Sequence, residues 1–162
     1  MASINEDLVV RGRLTPNQLD IPAGTITNAE VSASAAVATT KLKHRFHAGH
    51  SQPNTTSTTE TRNIFVARSA GTISEIVAGS IVANIGDSTV TVDLKKNGTS
   101  VMTSILTLDS GNVARVVEVG VLNGSLTTLA AGDWLEIVIT ATVGTGTLST
   151  GLFVQAVLDM SP

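Results

Sequence analysis

The sequence has no cysteine and no tyrosine, and its aromatic residues are three Phe and one Trp: Phe46, Phe65, Phe153 and Trp134. Without thiols there is no disulfide framework, no cysteine nucleophile, no thiolate zinc site and no iron–sulfur ligation. The scarcity of Tyr and Trp also counts against sugar recognition by ring stacking, although Trp134 could serve at a shallow site. Charge is sparse as well, at 14% of residues, with ten Lys and Arg against thirteen Asp and Glu for a net charge of −3. That balance leaves no broad basic face, so a nucleic-acid partner is not expected.

Long hydrophobic spans are missing too. The longest uncharged run, Ile137 to Leu158, is broken by Gly144-Thr145-Gly146-Thr147 and studded with Thr and Ser, so it reads as two strands and a turn. No transmembrane helix and no membrane partner are expected. Glu6 and Asp7 stand where a secretory leader would need basic and then apolar residues, which points to a protein made in a cytoplasm. What is abundant is small: 162 residues weigh only 16.6 kDa, and a mean hydropathy of +0.29 with so few charges implies a surface of Thr and Ser.

Composition changes near Lys41. Residues 1–40 contain Pro16, Pro22 and Gly24, then an Ala/Ser/Thr stretch from Val31 to Thr40 with few bulky apolar residues. Ordering a backbone costs roughly 1–2 kcal/mol per residue, which such a segment cannot offset by its own burial. It is expected to be an extended N-terminal arm, with residues 41–162 forming a separate domain. After Lys41 short apolar runs alternate with turn residues such as Gly86-Asp87, Asn97-Gly98, Asp109-Ser110-Gly111-Asn112, Asn123-Gly124-Ser125, Gly132-Asp133 and Gly144-Thr145-Gly146. A spacing of about 10–13 residues with β-branched filling is the pattern of an all-β sandwich or barrel.

Strands are expected near 41–49, 60–68, 72–83, 88–96, 100–108, 113–121, 133–143 and 150–160. About eight strands in two sheets make a jelly-roll-like antiparallel β-sandwich. Alternation assigns Val90, Val92 and Leu94 to one face, with Asn97-Gly98 supplying the positive φ of a tight hairpin. It likewise sends Leu135, Ile137, Ile139 and Ala141 inward and leaves Trp134 near an edge or a subunit contact. In Ile73–Ile85, Val113–Leu122 and Gly151–Asp159 both faces carry apolar residues, as if outer faces were covered by another subunit or by the arm.

Sites of chemistry are few. His44, His47 and His50 recur at steps of three, and imidazole is a common ligand for zinc, nickel or copper. On a strand that step puts His44 and His47 on opposite faces, so one chain cannot aim all three at one ion. A site built from one His of each of three chains around an axis stays open beside a plain hydrated basic strand. No metal and no cofactor are expected.

The sequence contains no G-x-S-x-G elbow, no phosphate-binding glycine loop, no H-E-x-x-H and no EF-hand loop. Asp109 and Asp133 could in principle form a glycosidase pair, but each sits in a turn sequence where a local hydrogen bond suffices. No catalytic residues are assigned and an enzyme is not expected. The sequons at Asn54, Asn97 and Asn123 read as hairpin residues first.

The segments Gly12-Arg13-Leu14-Thr15-Pro16, Gly24-Thr25-Ile26-Thr27-Asn28-Ala29-Glu30-Val31 and Ala36-Val37-Ala38-Thr39-Thr40-Lys41-Leu42 resemble the linkers of bacteriophage head-fibre, capsid-decoration and tail-fibre proteins. Val90-Thr91-Val92-Asp93-Leu94-Lys95-Lys96-Asn97-Gly98 and Leu129-Ala130-Ala131-Gly132-Asp133-Trp134-Leu135-Glu136-Ile137 are similar to the β-sandwich knobs that cap them. The resemblance implies a homotrimer on the capsid surface of a virion. Its arms would grip the major capsid protein and bridge capsid subunits, as a decoration or cement protein does.

An arm of about 40 residues reaches up to roughly 130–140 Å when extended. Leu8, Val9, Val10, Leu14, Leu19, Ile21, Ile26 and Val31 are the apolar contacts expected against the shell. The alternative is a head- or tail-fibre knob that binds a receptor, such as a glycan, on the host surface. No catalytic residues come with the resemblance.

Overall fold

A computed structural model of the chain describes residues 44–161. Its strands are β1 (His44–Thr56), β2 (Glu60–Val66), β3 (Gly71–Val82), β4 (Thr89–Lys96), β5 (Thr99–Ser100), β6 (Leu106–Leu108), β7 (Glu118–Val119), β8 (Thr128–Leu129), β9 (Trp134–Thr142) and β10 (Thr150–Met160). One sheet has the order β1-β10-β3-β7, with β8 also on β3, and the other has β2-β9-β4-β5, with β6 also on β4. Every pairing is antiparallel. Strands β1 to β4 switch sheets at every step, and β9 and β10 switch again, which is the double wrap of a jelly roll. The expected fold class is therefore the observed one.

The period-2 pattern explains which side chains meet. Val90, Val92 and Leu94 on β4, and Leu135, Ile137 and Ile139 on β9, are fully buried. They face Leu152, Val154, Ala156 and Leu158 of β10 and Ile73, Ile76 and Ala78 of β3 in a single core. Burying one such Leu or Ile stabilises the fold by about 1.5–3 kcal/mol relative to leaving it in water.

Strand β3 solves a phase problem. Ile73 and Ile76 are three residues apart, a step that regular alternation would send to opposite faces. Val157 pairs with Glu75 and Leu158 with Ile73, so Ser74 is an extra residue on β3 and forms a β-bulge. The bulge returns both isoleucines to the core, and the Ser74 hydroxyl donates to the Val157 carbonyl at 3.1 Å. Part of the two-faced apolar pattern at 73–85 is thus a change of phase within one strand.

Polar ties close the two ends of the sandwich. At one end Asn84, 3% exposed, donates to the Leu108 carbonyl at 2.9 Å and accepts from the Ser149 amide at 2.8 Å. Ser149 also meets the Ser57 hydroxyl at 2.7 Å, so four chain segments converge on one hydrogen-bonded cluster. At the other end Asn97 (φ +50°) and Gly98 (φ +81°) form the expected tight hairpin between β4 and β5. The Asn97 amide group also donates to Asp133 at 2.7 Å and accepts from the Trp134 backbone at 3.0 Å.

Three expectations are corrected. The strand expected at 100–108 is split into β5 and β6. The strand expected at 113–121 shrinks to β7, because the backbone turns at Val113–Val116, with Arg115 at φ +65°. Trp134 begins β9, which lies between β2 and β4, so it belongs to an interior strand and not to an edge.

Candidate functional site

Residues 1–40 lie outside the described residues, and with them all eight expected shell contacts: Leu8, Val9, Val10, Leu14, Leu19, Ile21, Ile26 and Val31. The three histidines fall on or at the start of β1, opposite Met160, Val157 and Val154 of β10 respectively. Alternation puts His44 and His50 on one side of the strand and His47 on the other, with His44 and His50 about 20 Å apart along it. Among the described residues no three His, Asp or Glu side chains come together as a metal site.

His50 instead takes part in a cluster that sequence reading missed. Its Nε2 lies 2.6 Å from Glu60 Oε1 on β2, across the step from one sheet to the other. The same carboxylate oxygen accepts from the Gln52 side chain, and its other oxygen accepts from Arg62 Nε at 2.7 Å. Gln52 is nearly buried and also holds Thr58 at both backbone groups, at 2.9 Å each.

These donors favour the charged carboxylate, so Glu60 is lowered from its ordinary 4.5 to about 2. The Gln52 amide contributes most, Arg62 and His50 add to it, and burial opposes. With that proton affinity Glu60 is a weak base at neutral pH. Its geometry makes it a tie between β1 and β2. The one local signal was the pair of polar triplets, His50-Ser51-Gln52 and Glu60-Thr61-Arg62, flanking a Thr-rich turn.

Asp109 and Asp133 are not brought together. Asp109 follows Leu108, which pairs with Val90, whereas Asp133 lies beside Asn97 beyond the other end of β4. The length of β4 between them is about 20 Å. Asp109 accepts from the Gly111 amide at 2.8 Å and Asp133 from the Ala130 amide at 2.8 Å, so both cap their own turns. For Asp133 the Ala130 amide and the Asn97 side chain lower the carboxylate pKa below its ordinary value. Asn97 and Asn123 act in turns as expected, Asn97 with positive φ and Asn123 accepting from the Ser125 amide at 3.2 Å, whereas Asn54, also at positive φ, lies within β1 where its register with β10 breaks.

An open groove of about 520 Å³ lies on the outer face of the β1-β10-β3 sheet, lined by Gly49, His50, Ser51, Val77, Val117, Phe153, Val154 and Gln155. Its floor is set by register. Gly49 lies opposite Gln155, which lies opposite Val77 and then Val119. One row along, Ser51 lies opposite Phe153, which lies opposite Gly79. A Cβ at Gly79 would meet Phe153 Cζ at 2.6 Å and the Val116 carbonyl at 2.8 Å, so glycine is what lets the ring lie down on the sheet. Val77, Val117 and Phe153 around the side-chain-free position at Gly49 give a shallow, largely apolar trough.

No protein-family model and no curated protein matches the sequence. Among solved structures, a chain described as Desmodium yellow mottle tymovirus superposes with a TM-score of 0.33 at 10% identity, over 99% of this chain and 93% of that one. A likeness this distant identifies neither a family nor a function.

Proposed function

We propose that this protein is a structural component of a virus particle: a homotrimeric phage decoration protein whose N-terminal segment bridges subunits of the major capsid protein. The observation that carries the reading is the pairing, in one short chain, of a jelly-roll sandwich with a preceding sequence too poor in bulky residues to build its own core. Such a segment gains order by lying on another protein or by adding strands to its sheets. The resemblance of its Gly12–Pro16 and Gly24–Val31 stretches to phage linkers supports the same reading.

The action is mechanical and needs neither turnover nor cofactor. A ligand that binds the assembled lattice and not free subunits stabilises the lattice by mass action. Several arms joined in one oligomer raise each other's effective concentration. Within the described domain, the hydrogen-bonded carboxylates Glu60, Asp109 and Asp133 serve ties and turns, which fits a passive knob.

The test is the copy number of the protein in purified virus particles, by quantitative peptide mass spectrometry against the major capsid protein. One copy per few capsid subunits is the expected result. A handful of copies per particle would favour a fibre knob that binds the host surface, and absence from particles would end the virion reading.

A further inference from the structure

Two asparagines in the sequence precede glycine: Asn97 before Gly98 and Asn123 before Gly124. In that dipeptide the following backbone nitrogen reaches the side-chain carbonyl most readily. Glycine has no Cβ to shield its nitrogen, and it adopts the backbone angles of ring closure at little cost. The fold gives the two pairs opposite surroundings.

Asn97 is held at both ends of its amide. Its Nδ2 donates to Asp133 Oδ1 at 2.7 Å, and its Oδ1 accepts from the Trp134 amide at 3.0 Å. Asn123 is fixed mainly through its backbone, which donates to the Val101 carbonyl and accepts from the Leu126 amide, both at 2.8 Å. Its Oδ1 accepts one long bond, from the Ser125 amide at 3.2 Å. That bond polarises the Cγ carbonyl and leaves the side-chain nitrogen unrestrained. Among the described residues Asn123 Nδ2 has no partner, and no unpartnered side-chain nitrogen is buried, so this one is open to water. Gly124 is exposed, its amide donates to no group among the described residues, and nothing lies within 4 Å of where its Cβ would stand.

We infer that Asn123 is a site of spontaneous deamidation, and that the fold protects Asn97 in the same dipeptide. The Gly124 backbone nitrogen gives up its proton to solvent base and bonds to Asn123 Cγ. The Cγ–Nδ2 bond breaks, and Nδ2 takes up a proton and leaves as ammonia. Water then opens the resulting succinimide: cleavage at Cγ gives aspartate, and cleavage at the main-chain carbonyl gives isoaspartate. Either product adds a negative charge. In isoaspartate the chain runs through the side-chain carbon, and the carbonyl that Leu126 bonds becomes a carboxylate, so the turn before β8 is rebuilt. At Asn97 the same ring closure must first break the bonds to Asp133 and Trp134. This inference does not rest on the virion reading.

The test is incubation of the folded full chain in mildly alkaline buffer, with peptide mass spectrometry at intervals. Conversion is read as the mass difference between an amide and an acid, and as the splitting of one peptide into two chromatographic isomers. The Asn123 peptide is expected to convert. The Asn97 peptide lags by roughly tenfold or more, since a hydrogen bond to a charged partner has to break before its amide reacts. In guanidinium chloride the lag vanishes. Gly124→Ala, whose methyl group has open space, slows conversion at Asn123 and leaves Asn97 unchanged, with circular dichroism to check that the variant is folded. Equal rates in the folded chain, a lag that survives unfolding, an Asn123 that converts only when unfolded, or a folded Gly124→Ala chain that converts as fast would each overturn the inference. Should that variant not fold, the comparison of the two asparagines in the unaltered chain decides. Virion copy number is read separately, so loss of one conclusion leaves the other standing.

Discussion

His50 Nε2 stands 2.6 Å from Glu60 Oε1, and through that contact the first strand of one sheet is fastened to the first strand of the other. Gln52 and Arg62 complete the tie, and the carboxylate they surround has its pKa lowered to about 2. A depressed carboxylate pKa stabilises the fold at every pH where the unfolded group is ionised. Glu60 therefore contributes fully above about 4.5 and loses that contribution as pH falls towards about 2.

Thermal unfolding followed between pH 6 and pH 2 is expected to show a steep fall in Tm below about pH 4.5. Glu60→Gln lowers Tm at neutral pH, with a loss of about 1–3 kcal/mol, and flattens the acid limb. An unchanged acid limb in that variant would remove Glu60 from the account.

Asn84 offers a sharper stability test, because its amide satisfies the Leu108 carbonyl and the Ser149 amide where water does not reach. Asn84→Ala leaves both unpaired and is expected to cost about 2–4 kcal/mol in urea unfolding. Ser57→Ala, which removes one hydroxyl of a mutually bonded pair, costs less, about 1 kcal/mol.

The bulge on β3 predicts an unusual tolerance. Deleting Ser74 places Ile73 directly before Glu75, which restores regular pairing with Leu158 and Val157 and keeps both Ile73 and Ile76 inward. Deleting Thr91 from the regular strand β4 instead sends either Val90 or Val92 to the outer face. The Ser74 deletion is expected to fold with a two-state transition and the Thr91 deletion to be unfolded, as read by circular dichroism.

Gly98 adopts φ +81°, in a turn whose other central residue, Asn97, is bonded to Trp134. Gly98→Ala is expected to cost about 1–2 kcal/mol through left-handed strain alone, since nothing lies near the added methyl group. Fluorescence of Trp134, the one tryptophan, reports this end of the domain directly.

Much of this fold could be read from the order of residues. Alternation in Val90–Leu94 and Leu135–Ile139 places the core correctly, because period 2 leaves little choice once strands are assumed, whereas at Leu152–Leu158 apolar residues on both faces left the inward set open. It misled at 113–121, where a β-branched run looks like a strand although Arg115 turns the chain. β8 escaped notice because two paired residues are too few to make a pattern. The Glu60 tie is harder to read for a different reason: the polar triplets at 50–52 and 60–62 are its one local trace, and which of their side chains meet is settled only where β1 and β2 pass from one sheet to the other. The expected shell contacts between Leu8 and Val31 lie outside the described residues, so the pattern in that stretch stands on sequence alone.

Strand β10 lies between β1 and β3 in its sheet, and its register joins His44 to Met160. The centre of that sheet is thus synthesised after every other described strand. Until it arrives, β1 and β3 have a vacant lane between them, with unpaired backbone groups and the inward faces of Ala48, Ile73 and Ile76 open to neighbours. Folding of the domain must wait for its own final strand, so ribosome-bound chains halted before Thr150 should be the aggregation-prone species in its biogenesis.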